Sequence, residues 1–161
     1  DIYENSYIEF IGNVNDSFKS WVLQDKVLQS VVIFKKQISH DQLLLLYSET
    51  SLLLLVLANT DLAPGNIPGK IFEYMGSGNP IMAIGPEQGD AAKILKETNA
   101  GVVSERTDKE KMKTFIRSYF QDWKAGKTSN SHVSDYTRRG LTKKLISFME
   151  IGRQSTVNSL Q

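Results

Sequence analysis

The sequence of 161 residues contains no cysteine, which excludes a disulfide framework and any metal site built on thiolates. Its only two histidines, His40 and His132, lie far apart, and neither belongs to a cluster with metal-ligand spacing. We therefore expect no metal and no cofactor to be held by this chain. Nothing in the cysteine content points to an oxidising compartment.

A long apolar run is also missing. The most apolar stretch, residues 43–58, is interrupted at 47–51, so neither half approaches the roughly 20 apolar residues that a membrane-spanning helix needs. The first residues have no basic segment followed by an apolar core, so no secretory signal is predicted. We expect a cytoplasmic protein. Because the chain opens in a polar stretch without an initiator methionine, we interpret it as a fragment of a longer one.

Charge is unevenly distributed along the chain. Residues 1–105 carry 7 Lys+Arg against 13 Asp+Glu, whereas residues 106–161 carry 12 against 5. A solvated helical surface explains the basic half. The alternative is a face that meets anionic lipid, which would add a peripheral contact with a membrane. Nucleic acid is not an expected partner, because the basic residues are not interleaved with aromatic ones.

Apolar patterning alternates between strand and helix about five times. The order predicts an α/β fold: a doubly wound, Rossmann-like parallel sheet of about five strands, with helices on both faces and an extra C-terminal helix. We place this domain at residues 7–150 and a flexible tail at 151–161. The predicted strands are residues 7–11, 31–34, 52–57, 80–84 and 101–104, with the third expected to be central. The predicted helices include residues 17–25, 39–47, 70–77, 90–98 and 133–150.

Capping residues mark several predicted helix ends. Asp16 and Asp90 are predicted N-caps. Ser39 with Gln42, and Thr107 with Glu110, have the spacing of capping boxes. Gly101 is predicted to follow the end of the helix at 90–98.

In a parallel sheet, ligands bind beyond the carboxyl ends of the strands. The loop after the third strand leads into a helix whose first turns carry Lys70 and Glu73. Pro68 suits the start of this helix, and Gly78 and Pro80 predict its end. A helix that begins there points its free N–H groups at an anionic ligand. Glu73 is a candidate for a ribose and Lys70 for a diphosphate, although a first-turn carboxylate and a solvated lysine are the simpler interpretations.

The glycines of this loop do not form a P-loop. Only three residues separate Gly65 from Gly69, one of them is Pro68, and Ile71 stands where a Ser or Thr should hold magnesium. The dinucleotide fingerprint is missing too, since no second or third glycine follows Gly12 at the required spacing.

The segment Pro68-Gly69-Lys70-Ile71-Phe72-Glu73-Tyr74-Met75, followed by Gly78-Asn79-Pro80-Ile81, resembles the donor-binding segment of GT-B glycosyltransferases of the family 4 (group 1) type. Other segments agree with that family in order, so the resemblance covers residues 7 to about 150. These other segments are Phe10–Asn13, Ile38–His40, Gly85–Asp90 and Tyr136–Thr142.

The resemblance implies the donor-binding half of an enzyme of bacterial-type polysaccharide or glycan synthesis. Such an enzyme transfers a sugar from a nucleoside diphosphate sugar, and this half would be inactive without the N-terminal GT-B domain. It implies that Glu73 binds the ribose and that Ile38 and His40 lie against the base. The other implied donor-binding residues are Asn66, Ile67, Pro68, Gly69 and Lys70. No catalytic residue is assigned.

Two departures from the family pattern stand out. Many members contact the donor sugar through a second glutamate eight residues before the first, where this chain has Gly65. Asp61 and Glu87 are candidates to replace it. The family also holds the diphosphate with basic residues near the start of this half, and the segment that would carry them is either absent or upstream of Asp1. Two other functions stay open: a non-catalytic Rossmann-like module that docks through its basic C-terminal face to a partner or membrane, and half of a GT-B-type NDP-sugar epimerase.

Overall fold

A computed structural model describes residues 2, 4–58, 60, 63–127 and 131–158. The chain divides into two compact units, residues 1–46 and 47–161. Each unit is described by itself. The extent of one domain over residues 7–150 stays a prediction.

The first unit contains a two-stranded parallel sheet. Strand β1 (Ile8–Ile11) pairs with β2 (Val32–Lys35), so that Ile8 lies opposite Val32. Helix α1 (Asp16–Gln24) follows β1. Its N-cap is Asn15 and not Asp16, because the Asn15 side chain accepts a hydrogen bond from the Ser17 N–H at 2.9 Å.

The residues before β2 form helix α2 (Lys26–Val31), which the sequence does not predict. The Asp25 carboxylate accepts hydrogen bonds from the N–H groups of Val27 at 2.8 Å and Leu28 at 3.0 Å. This double cap stabilises a helical turn in a segment whose β-branched residues favour a strand. Strand β2 itself alternates between half-buried and exposed residues, so the expectation of a strand buried on both faces is wrong.

Helix α3 (His40–Glu49) begins with the predicted capping box. The Ser39 N–H donates to Gln42 Oε1 at 3.1 Å, and the Gln42 N–H donates to Ser39 Oγ at 3.3 Å. The two residues therefore satisfy each other's backbone donors, as the motif requires.

The second unit contains a three-stranded parallel sheet in the order β3 (Leu53–Val56), β4 (Ile81–Ile84), β5 (Gly101–Ser104). Helix α4 (Lys70–Ser77) connects β3 to β4, and α5 (Asp90–Glu97) connects β4 to β5. Strand β4 is the central strand of this sheet, whereas the sequence predicted that the Leu-rich β3 would be central. The core of this unit includes residues of α4 and of the central strand: Ile71 of α4 and Ile81 of β4 are both 0% exposed.

Two predicted N-caps in the second unit are wrong. The N-cap of α5 is Gly89 and not Asp90. Helix α6 (Lys109–Lys124) is capped by Asp108 and not Thr107, since the Asp108 carboxylate accepts from the Lys111 N–H at 2.9 Å.

Helix α5 ends at an asparagine in the left-handed backbone conformation. Asn99 has a φ of 50°, and the Ala100 N–H donates to the Leu95 carbonyl at 3.1 Å. This is a Schellman motif with Asn99 in the left-handed position. Gly101, predicted for that position, is instead the first residue of β5, whereas Gly78 ends α4 as predicted with a φ of 78°.

The last helix differs from the prediction at both ends. Residues Ser134–Tyr136 form a separate 3₁₀ turn, and helix α7 runs over Arg138–Asn158, past the expected end at residue 150. Residues 159–161 of the predicted tail lie outside the described residues. No helix among the described residues has the length and apolar character needed to cross a membrane.

The fold class is α/β, with seven α-helices among the described residues. The described strands pair within two parallel sheets, one of two strands in the first unit and one of three strands in the second; a single doubly wound sheet of about five strands stays a prediction. Local apolar patterns define each strand, but strand pairing depends on contacts between distant segments.

Candidate functional site

The candidate site lies at the carboxyl ends of β3, β4 and β5. We call it the sheet-end site and define it by the loops at residues 57–69, 85–89 and 104–106. Because the three strands are parallel, these loops leave the sheet at the same edge. Residues 59, 61 and 62 lie outside the described residues.

The loop after β4 lies against the loop after β3. A Cβ atom added to Gly89 would lie 3.0 Å from the Pro64 carbonyl oxygen and 3.2 Å from Pro64 Cα. Most side chains would therefore push the two backbones apart. The close approach places the start of α5 beside the 3₁₀ turn Ala63–Gly65.

The loop after β4 is also joined to the loop after β5. The Glu87 N–H donates to Glu105 Oε1 at 3.0 Å, and the Glu105 N–H donates to Glu87 Oε1 at 3.2 Å. Lys111 Nζ lies 2.7 Å from Glu87 Oε1. The hydrogen bond from Lys111, followed by that from the Glu105 backbone, lowers the pKa of Glu87. Both donors contact the same oxygen of the Glu87 carboxylate, so its role as a replacement for the sugar-binding glutamate stays a prediction. Asp61, the other candidate, lies outside the described residues.

Arg106 reaches across this edge of the sheet. Its Nη2 donates to the Leu57 carbonyl oxygen at 2.7 Å, linking the residue after β5 to the end of β3 on the other side of β4. One of the five guanidinium N–H groups makes this bond, and Arg106 is exposed. The sequence motifs gave Arg106 no role. The signal was an arginine two residues beyond a strand end.

Helix α4 positions the predicted donor-binding segment. Lys70 is its first residue and Gly69 its N-cap, without a side-chain hydrogen bond to the first turn. Gly89 caps α5 in the same way. By contrast, Asp108 caps α6 and Thr137 Oγ1 accepts from the Gly140 N–H at 3.1 Å at the start of α7. The N-cap residues of the two helices that follow β3 and β4 therefore offer no side-chain acceptor of their own, and uncapped N–H groups at a helix start favour an anion.

The other predicted residues of this segment are accessible. Asn66, Ile67, Gly69 and Lys70 are exposed, and Pro68 is half-buried. The structure thus brings these five residues and Glu73 together on one continuous stretch at the sheet-end site.

Glu73 lies in the first turn of α4 and is half-buried. Its surroundings include the buried rings of Tyr47 and Tyr74, which meet edge to face with centroids 4.8 Å apart. Burial, with smaller contributions from Tyr47 and the charge of Glu73, raises the pKa of Tyr74 to about 12. Burial and then the Glu73 charge also raise the pKa of Tyr47. The Glu73 carboxylate therefore lies near enough to both phenols for them to sense its charge.

The backbone at Gly65 has space for a side chain at the position where members of the resembled family carry a glutamate. A Cβ atom added there would meet no described atom within 4 Å. Crowding by described residues therefore does not explain the glycine.

Ile38 and His40 belong to the first unit, at the start of α3. Ile38 is half-buried and His40 is exposed. Their grouping with Glu73 around one ligand stays a prediction. No group of three or more metal-ligating side chains occurs in the part of the chain that the structure describes.

Comparisons of the chain with protein-family models, curated proteins and solved structures find no match. The family resemblance therefore depends on the residues quoted above and on their order. The loops of the sheet-end site leave the sheet at its carboxyl edge, which is where parallel α/β sheets bind ligands.

Proposed function

We propose that this chain is the donor-binding half of a glycosyltransferase that uses a nucleoside diphosphate sugar. In this proposal the strands belong to a doubly wound, Rossmann-like domain, and a separate GT-B domain supplies the acceptor site. The observation that carries the proposal is the start of α4. It begins at the carboxyl edge of the sheet, has a glycine N-cap and presents Glu73 in its first turn.

Each part of the donor has a proposed contact. The Glu73 carboxylate accepts hydrogen bonds from the ribose hydroxyls, as acidic residues do in related nucleotide folds. The segment 66–70 lies along the donor, with Lys70 beside the diphosphate, and Ile38 and His40 lie against the base. The glycine-capped starts of α4 and α5 face the diphosphate.

These contacts suit the chemistry of sugar transfer. The bond between the anomeric carbon and the diphosphate oxygen breaks, and a new bond forms to an acceptor hydroxyl oxygen. Negative charge develops on the departing diphosphate, so positive groups and helix N-termini already in place stabilise the transition state. The acceptor and the catalytic base come from the other domain, so the chain alone turns over nothing.

Calorimetric titration with UDP, GDP and ADP tests the proposal. We expect at least one of them to bind weakly, and Glu73→Ala to weaken that binding. Glu110→Ala is the matched control, because Glu110 occupies the first turn of α6. If the folded chain binds none of the three at millimolar concentration, or if both variants bind like the wild type, the proposed role of Glu73 is wrong.

A further inference from the structure

Two tight turns follow the carboxyl ends of β4 and β5, and each leads directly into a helix. The Gly89 N–H donates to the Pro86 carbonyl oxygen at 3.3 Å, which closes the turn before α5. The Asp108 N–H donates to the Glu105 carbonyl oxygen at 3.0 Å, which closes the turn before α6. Because β4 and β5 are neighbouring parallel strands, the two turns lie side by side at the sheet-end site.

A pair of glutamates, one in each turn, joins the two turns. The Glu87 N–H donates to Glu105 Oε1 at 3.0 Å, and the Glu105 N–H donates to Glu87 Oε1 at 3.2 Å. We call Glu87 and Glu105 the glutamate pair. Hydrogen bonds to an ionised carboxylate are stronger than those between neutral groups. Because both donors are backbone N–H groups, the bonds fix the path of the main chain in each turn.

Two groups at the carboxyl edge of the sheet depend on the turns that the glutamate pair joins. Gly89, two residues after Glu87, is the N-cap of α5, whose start faces the diphosphate in the proposed function. Arg106 directly follows Glu105, and its Nη2 donates to the Leu57 carbonyl oxygen at 2.7 Å. Groups that bind a ligand need to be held within roughly 0.5 Å of the productive geometry by supporting hydrogen bonds. The glutamate pair provides such support for both turns.

The charge of the glutamate pair opposes the binding of an anion. Two carboxylates beside a diphosphate repel it, so their charge alone would weaken binding. Lys111 Nζ, which lies 2.7 Å from Glu87 Oε1, offsets one of the two charges. If the pair strengthens diphosphate binding, the order that it gives to the two turns has to outweigh the remaining repulsion. This opposition of geometry and charge makes the two effects separable by mutation.

We propose that Glu105 and Glu87 are positioning residues, which hold the two turns where the start of α5 and Arg106 receive a diphosphate. They act through the main chain, without contact to the phosphates. The inference rests on the proposed function and deepens it, because it identifies which residues preorganise the diphosphate end of the sheet-end site.

Replacing Glu105 in two ways separates geometry from charge. Calorimetry uses whichever of UDP, GDP and ADP the wild type binds best, together with the corresponding nucleoside. Glu105→Gln keeps an Oε1 acceptor for the Glu87 N–H and loses only the charge, so it should bind the diphosphate at least as tightly as the wild type. Glu105→Ala also loses the acceptor and should weaken diphosphate binding by about fivefold, although it removes a negative charge. Neither variant should change the affinity for the nucleoside.

Hydrogen exchange without ligand tests the glutamate pair itself. The Glu87 amide should exchange about fivefold faster in Glu105→Ala and at the wild-type rate in Glu105→Gln. Glu110→Ala is the matched control, because it removes a negative charge from the first turn of α6 and leaves the pair intact. It should change neither the exchange of the Glu87 amide nor the affinity for the diphosphate.

The outcomes distinguish this inference from the proposed function. Unchanged diphosphate affinity in Glu105→Ala, equal weakening by Glu105→Ala and Glu105→Gln, or unchanged exchange of the Glu87 amide in Glu105→Ala would overturn the inference while donor binding stands. A folded wild type that binds none of the three nucleoside diphosphates would contradict the proposed function and the inference together.

Discussion

Replacing Arg106 tests whether its remaining guanidinium N–H groups contact a diphosphate at the sheet-end site. Arg106→Gln removes the positive charge and, because glutamine is two atoms shorter, also the hydrogen bond to the Leu57 carbonyl, which Arg106 Nη2 contacts at 2.7 Å. Arg106→Lys keeps the charge but loses the planar fork. Since Arg106 is exposed and only one hydrogen bond is lost, we expect the free energy of unfolding to fall by about 1 kcal/mol.

The expected effect on binding is larger. A hydrogen bond between charged partners contributes about 1.5–3 kcal/mol, so Arg106→Gln should weaken binding of a nucleoside diphosphate by about tenfold to a hundredfold. Affinity for the corresponding nucleoside, which has no phosphate, should not change. Arg106→Lys should lie between the wild type and Arg106→Gln.

Calorimetry with a nucleoside diphosphate, its nucleoside and inorganic pyrophosphate measures these effects. Arg117→Gln is the matched control, because it removes one positive charge from the exposed surface of α6. Equal weakening by Arg106→Gln and Arg117→Gln would show that only net charge matters. Unchanged diphosphate affinity in Arg106→Gln would refute the reasoning.

Three further predictions concern stability. Gly101→Ala would place Cβ 2.0 Å from the Ile81 carbonyl oxygen, so it should lower the free energy of unfolding in urea by at least about 2 kcal/mol. Gly76→Ala meets no described atom within 4 Å and should instead stabilise α4 by up to about 1 kcal/mol. The pKa of Tyr74 is raised from 10.0 to about 12, so stability should be full below pH 10 and decline as the pH approaches 12. Tyr74→Phe should make unfolding less sensitive to pH over that interval; an unchanged decline would show that another group causes it.

The sequence predicted secondary structure best where strong punctuation surrounds an element. Pro68 and Gly78 flank α4, and both ends of that helix are as predicted. Where two capping residues are adjacent, as at Asn15 and Asp16, the pattern cannot tell which side chain will reach the first turn. The same ambiguity explains the error at Thr107 and Asp108.

Contacts between distant parts of the chain were beyond sequence patterns. The bond from Arg106 to Leu57 joins residues 49 positions apart, and the exchange between Glu87 and Glu105 joins residues 18 apart. Neither pair has a sequence signature, because each depends on how the strands are ordered in the sheet. The candidate segment 66–73 was predictable because its residues are consecutive and follow an apolar strand.

The most direct test of donor binding is the discrimination between a nucleoside diphosphate and its dideoxyribose analogue, measured by calorimetry on wild type and Glu73→Ala. If Glu73 binds the ribose hydroxyls, the wild type prefers the ribose form, and Glu73→Ala loses that preference while Glu110→Ala keeps it. A folded wild type that binds both forms equally, or a Glu73→Ala variant with unchanged preference, would contradict the proposed role of Glu73 at this site.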